Sequence, residues 1–327
     1  MPFEPLQRRE FISLVGSAAI AWPSAAIAQQ PGRLWKIGVL ANESWPPLEG
    51  LRHGLRDLGY VEGKSHVFLY RFAQGQAERF QVLASELVNL PVDLVVAWGT
   101  PASLAAHKAT ETIPIVMSAG DPVGAGIVSS LAHPGGNVTG ISVQMAEQEG
   151  KRLELLKKLL PSFSRVAVLS NPSNPYCAIA VGEARRGAAA LGVQLDLLEA
   201  SDARSLEAAF LTLSRTRSDA VLVVADPFLA GERVRIADEM IKQKLPSIYS
   251  YHEQVRAGGL MTYPTNYYDV FRREGLFIDK IFKGAKPGDL PVQQPIKFEL
   301  MLNLNTAKTL GLIIPPSLLA LADEVLE

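Results

Sequence analysis

The sequence predicts an α/β protein of two doubly wound parallel-sheet lobes, joined by a hinge that the chain crosses more than once. Three observations carry that expectation. Short, β-branched apolar runs without polar alternation recur along the chain, as strands buried on both faces require. Segments of helical period separate them, which makes a βαβ series and hence parallel pairing. The series runs from about residue 36 to 143, starts again near 147, and leaves C-terminal elements that neither series needs.

The first strand is 36–41 (KIGVLA). It ends at Asn42, Glu43, Ser44 and Trp45, and Pro46-Pro47 opens a helix that Gly59 stops, as a C-terminal glycine does. A strand at 67–71 and a helix at 77–89 follow. The stretch 92–128, VDLVVAWGTPASLAAHKATETIPIVMSAGDPVGAGIV, holds two more buried runs, 94–97 and 113–117. Each leads into a polar residue and a proline, Thr100-Pro101 and Asp121-Pro122, suited to an N-cap and a first helical position. A strand at 138–143 (VTGISV) ends the first series of about 110 residues.

The second series opens with an amphipathic helix at 147–160, with Leu153, Leu156, Leu159 and Leu160 on one side. It continues as strand 166–169, helix 176–191, strand 193–198, helix 206–214, strand 220–225 (AVLVVA), helix 232–244, and short strands at 247–251 and 258–262. A long helix at 267–283, a linker at 286–291, a strand at 297–303 and a helix at 306–310 are left over. Repeated crossing makes a hinge, and a hinge beneath two facing sets of strand tips makes a cleft that closes.

Of the 327 residues 48% are hydrophobic and 20% charged, with net charge −1. That is enough chain for two cores, and it gives no electrostatic case for nucleic acid or an anionic membrane surface. The single cysteine, Cys177, excludes an internal disulfide and a cysteine-rich metal site. Residues 1–28 read as a secretory leader: Arg8-Arg9, a short apolar run, then Ala26-Ile27-Ala28. The paired arginines resemble the twin-arginine type, while Gln7 and Ser13 depart from its usual flanks. No apolar run reaches the roughly 20 residues that span a bilayer. The expectation is a soluble periplasmic protein beginning near Gln29. Its first lobe is 29–142 plus about 264–287, and its second is 143–263 plus about 288–327.

Four strand ends share the polar–proline device: Thr100-Pro101, Asp121-Pro122, Asn174-Pro175 and Asp226-Pro227. Any one of them is the pattern of ordinary helix initiation. Two from each lobe would aim partly positive helix ends at one ligand site, where open parallel sheets bind. Each charge-assisted hydrogen bond to a ligand carboxylate there contributes about 1.5–3 kcal/mol. Aromatic residues gather at the same ends: Trp45, Trp98, Tyr176, Phe228, Tyr249, Tyr251 and Tyr263. Trp98 reads as core packing. Tyr249, Tyr251 and Tyr263 border polar loops and suit stacking on a flat ligand. Glu253 and Asp226 are the acids that could meet an ammonium group.

Enzyme signatures are poor. Gly120, Gly124 and Gly126 lack dinucleotide-loop spacing, and there is no G-x-S-x-G elbow and no P-loop. The five histidines show no metal-ligand spacing. Cys177 sits near a helix start but has no nameable base. No catalytic residue, metal or cofactor is expected.

The runs VAWGTPAS, IPIVMSAGDPVGAGIV, GGNVTGIS, VAVLSNPSNP, DAVLVVADP, GGLMTY and LNLNTAKTLGLIIP resemble the ABC-transporter substrate-binding protein family of the tryptophan/tyrosine-uptake type. The likeness covers nearly all of the chain after the leader. It implies a type I periplasmic-binding-protein fold with three crossings, a ligand clamped between the lobes, and delivery to a membrane ABC permease driven by a separate ATPase. It also implies ligand-facing positions at Thr100, Ala102, Ser103 and Asp121 in the first lobe. In the second it implies Asn171, Asn174, Asp226, Tyr249 and Glu253. Trp98 and Ala225 depart from the characterised amino-acid binders. The expected function is clamping of a small carboxylated, aromatic ligand by a monomeric binding protein. The alternatives are a two-lobed racemase or hydrolase using Cys177 or a carboxylate pair, and a ligand-sensing domain of the kind fused to repressors.

Overall fold

Apolar residues recur through the predicted strands, and in a computed structural model these strands pair in two sheets. The structure describes residues 33–44, 48–143, 148–295 and 297–327. The leader and Trp45 lie outside the described residues. The first sheet contains β1 (Trp35–Ala41), β2 (His66–Phe72), β3 (Leu94–Trp98), β4 (Ile115–Ala119) and β5 (Val138–Ser142) in the order β2-β1-β3-β4-β5, all parallel. Its crossover helices are α1 (Leu48–Asp57), α2 (Arg79–Asn89) and α3 (Thr100–Ala109).

After α4 (Gln148–Leu159) come β6 (Arg165–Ser170), α5 (Pro175–Ala190), β7 (Gln194–Glu199), α6 (Ala203–Leu213) and β8 (Ala220–Val223). Then follow α7 (Pro227–Gly231), α8 (Arg233–Lys242), β9 (Ser247–Tyr249), α9 (His252–Arg256) and β10 (Met261–Thr262). The chain continues as α10 (Tyr267–Phe282), β11 (Met301–Asn303), α11 (Leu304–Thr309), α12 (Pro316–Leu319) and β12 (Glu324–Leu326). The second sheet runs β12-β11-β10-β9-β8-β6-β7, and its one antiparallel pair is β10 with β11.

In each sheet the strand order reverses at one place, between β1 and β3 in the first and between β6 and β8 in the second. These switch points leave a crevice at the carboxyl ends of the strands, and both crevices open onto the same space.

The leftover elements make the hinge. Helix α10 returns to the first sheet and lies on α1, where glycine replaces side chains at the crossing. A Cβ on Gly54 would strike the Arg272 carbonyl, and one on Gly275 would lie 2.9 Å from Gly54. The chain passes between the two sheets three times, after β5, after β10 and before β11. These passages are tied together by Ser142 N–H to Gln293 O (2.8 Å), Glu299 N–H to Pro264 O (3.1 Å) and Thr265 Oγ1–H to Val143 O (3.3 Å).

Candidate ligand-binding site

Two of the four polar–proline tips cap helices as expected and two do not. Asn174 Oδ1 accepts from Tyr176 N–H (3.1 Å), and Asp226 Oδ1 accepts from Leu229 N–H (3.0 Å). Thr100 is not an N-cap. Gly99 takes that position with φ +87°, a left-handed turn that suits glycine and swings the chain sharply off β3. Thr100 is then the first helical residue, and its Oγ1 accepts from Gly120 N–H of the neighbouring strand tip (3.2 Å). Asp121 starts no helix either; residues 121–129 are turns, and its Oδ1 caps one of them at Gly124 N–H (2.8 Å).

Between the facing tips lies a cavity of about 200 Å³. The first lobe contributes Asn42, Glu43 and Ser44 after β1, Trp98 to Thr100 after β3, and Ser118 and Gly120 at β4. The second contributes Asn174 and Tyr176 after β6, Ala225, Pro227, Ala230 and Arg233 after β8, and Tyr251, Glu253 and Gln254 after β9. Tyr267 and Phe271, on the returning helix α10, complete the wall.

The interior is aromatic. Trp98 stacks on Phe271 (centroids 4.3 Å apart, planes 20° apart), and Tyr251 and Tyr267 lie 5.6 Å apart. Trp98 Nε1–H donates to Glu274 Oε2 at 2.9 Å. Tyr176 rests directly on Gly120, where a Cβ would collide with the ring. Burial pushes the phenols of Tyr176, Tyr251 and Tyr267 upward, so they remain neutral hydrogen-bonding groups.

The rim is polar and spans both lobes. Arg233 Nη1 meets Glu43 Oε1 at 3.2 Å, and Asn42 Nδ2–H donates to Pro227 O at 3.1 Å. These contacts hold the lobes in a closed arrangement.

The start of α3 is suited to an anion. Pro101 has no N–H, and Ser103 N–H is taken by Gly99 O (3.0 Å), whereas the amides of Thr100 and Ala102 have no partner among the described residues. Helix α5 differs: Pro175 has no N–H, and the Tyr176 and Cys177 amides are both capped by Asn174. Its dipole faces the cavity, but its first amides are occupied.

Of the residues singled out from the sequence, the cavity brings together Thr100, Asn174 and Glu253. The Ala102 and Ser103 side chains are buried beneath α3, Ser103 Oγ–H bonding Gly99 O (2.9 Å). Asp121 stands outside the cavity. Asn171 and Asp226 form a brace behind the wall: Asp226 accepts from Asn171 Nδ2–H (3.1 Å), Asn174 Nδ2–H (3.0 Å) and Leu229 N–H. Burial pushes the Asp226 carboxyl up while these donors pull it down. Tyr249 is fully buried in the second-lobe core, its hydroxyl accepting from Ser247 Oγ–H (3.0 Å).

Sequence reasoning missed Asn42, Ser118, Arg233, Tyr267 and Phe271 as lining residues. Tyr267 and Phe271 are four apart on one helical face, a visible signal, but only the second crossing shows what that face meets. Cys177 is buried under Ala225 with its thiol pushed far up by burial, the opposite of an activated nucleophile. Among the described residues no group of three His, Cys, Asp or Glu side chains could hold a metal, and no helix is long and apolar enough to cross a membrane.

Residues 45–326 match the family model described as ABC transporter substrate binding protein. The chain belongs to the ABC transporter substrate binding protein family. Members are binding proteins that work with an ABC permease, and the fold is the type I periplasmic-binding arrangement. The chain is 30% identical over 281 residues to a tyrosine-binding protein of Clostridioides difficile (strain R20291), covering 84% of this chain and 81% of the relative. It is similar to the ABC domain in complex with L-Trp from Streptococcus pneumonia, with TM-score 0.83, 29% identity, and coverage of 90% of this chain and 100% of that one. It is less similar in shape to the ligand-free, open structure of a substrate-binding protein with adhesive properties from Clostridium difficile. There the TM-score is 0.64 at 26% identity, covering 90% and 99%.

Proposed function

We propose that this chain is the exported, monomeric solute-binding component of an ABC uptake system, and that it closes on a small carboxylated aromatic ligand, an aromatic acid or aromatic amino acid. The observation that carries the reading is the aromatic cavity at two facing switch points, with the unpartnered Thr100 amide at one end. The ring would lie among Trp98, Tyr176, Tyr251 and Tyr267. The carboxylate would lie at the start of α3, within reach of the helix dipole. Of the lining acids Glu43 and Glu253, Glu43 already meets Arg233, so for an amino acid Glu253 would take the ammonium group.

The relatives named for tyrosine and solved with L-Trp support this ligand class. Export rests on the leader at 1–28, with delivery to a permease outside the cytoplasm. The lobes are proposed as 29–142 plus about 264–287, and 143–263 plus about 288–327. The seat of α10 on α1 and the membership of β11 and β12 in the second sheet support that division.

A thermal-shift panel of aromatic acids, aromatic amino acids and L-leucine, followed by calorimetry, tests the reading. A true ligand at 100 times its Kd adds about 2.7 kcal/mol of stability. A panel that leaves the melting temperature unmoved would overturn it.

A further inference from the structure

The cavity's size, and the way one wall is fastened, narrow the ligand. A dry apolar cavity of about 150 Å³ holds one benzene ring. The roughly 200 Å³ here takes one aromatic ring, and what fits beside that ring depends on which walls can move.

Trp98 is the wall that cannot. It stands at the end of β3 and is 5% exposed. One anchor is the stack on Phe271, and the other is the 2.9 Å hydrogen bond from Nε1–H to Glu274 Oε2. Glu274 is itself fully buried on α10, the helix whose Gly275 meets Gly54 of α1 backbone to backbone. Neither the indole nor its acceptor has space to retreat, and a ring held in one rotamer sets a hard limit on what fits beside it.

We propose that Trp98, fastened by Glu274, is the specificity-determining wall that restricts the site to carboxylates bearing a single aromatic ring. This rests on the functional reading above and narrows it. Glu274 is a positioning residue that acts through the indole.

Calorimetric titration of the full chain with two matched pairs tests it: 4-hydroxyphenylacetate against indole-3-acetate, and L-tyrosine against L-tryptophan. In the pair that binds, wild type should favour the single ring by about tenfold or more. Trp98→Ala should bring that ratio to one or below, chiefly by gaining affinity for the indole ligand. Trp98→Phe, which keeps a ring against Phe271, should move the ratio the same way by less. Glu274→Gln should keep the wild-type ratio, because its amide oxygen still accepts from the indole. Glu274→Leu should lower it.

Equal wild-type affinities within the binding pair would overturn the inference, as would a ratio that neither Trp98 variant moves, and the functional reading would stand. Wild type binding neither pair would overturn the inference, and only with an unmoved thermal-shift panel would the functional reading fall as well.

Discussion

Glu274 is a carboxylic acid facing the Trp98 indole and the Ser118 hydroxyl, with no ion pair among the described residues. Burial pushes its carboxyl well above the usual range, and the Trp98 hydrogen bond and the nearby Ser118 hydroxyl only partly offset this. Above the ordinary carboxylate value the folded chain therefore keeps a proton that the unfolded chain releases. Its contribution to stability falls as pH rises from the ordinary carboxylate value toward the folded-state value, and is constant below that window. Glu274→Gln removes the slope. The variant should melt higher than wild type near neutral pH, and the gap should close by about pH 4. A gap independent of pH would mean that the acid is ionised in the fold. At this scale the sequence was only partly legible. Asp226 looked like a ligand group because acids at strand tips often are, but three N–H donors already occupy it. The partners of a side chain depend on neighbours 50 or more residues away, as with Asn171 and Asn174, and periodicity does not report those.

At their crossing helices α1 and α10 meet through Gly50, Gly54 and Gly275, with the His53–Tyr268 and Asp57–Arg272 contacts flanking it. Gly54→Ala would drive a methyl into the Arg272 carbonyl, and overpacking of this kind costs about 1–3 kcal/mol, or roughly 2–5 °C in melting temperature for a chain this size. Gly182, inside α5, has open space where a Cβ would stand, with no atom within 4 Å. Gly182→Ala should therefore stabilise by about 0.5–1 kcal/mol from helix propensity. Thermal unfolding of the two variants checks both signs at once, and similar effects from the two would mean the helix contact is looser than described. The strands were legible because runs such as LVVAW and IVMSA have one physical use. The helix starts were less so. At Thr100 the left-handed turn went to the glycine before it, and at Asp121 the following Pro122 and Gly124 made turns rather than a helix. The two glycines of α1 carry no sign in the sequence that a helix from 200 residues later will need them.

For the whole molecule, the contacts that cross the cleft describe a closed state: Asn42 to Pro227, Glu43 to Arg233, and Tyr176 on Gly120. The greater similarity to the L-Trp complex than to a ligand-free open structure agrees with this. Gly120→Ala places a methyl where the Tyr176 ring must lie on closing. It should weaken ligand binding by about tenfold or more, since each 1.4 kcal/mol of lost closure is tenfold, while the melting temperature without ligand changes little. Small-angle scattering should show wild type contracting with ligand and the variant failing to do so. Unchanged affinity in Gly120→Ala would mean that closure does not bring Tyr176 onto Gly120.

The seating of α10 on α1 also sets an order on folding. The exposed flank of the first sheet is an N-terminal helix, and its cover is supplied by residues 267–282, after every strand from β1 to β10 has been made. A nascent chain thus carries the Gly50 and Gly54 face of α1 uncovered through most of its synthesis. Contacts this distant in sequence form slowly, because a long loop must close before they gain anything. The lobe that is encoded first is completed among the last.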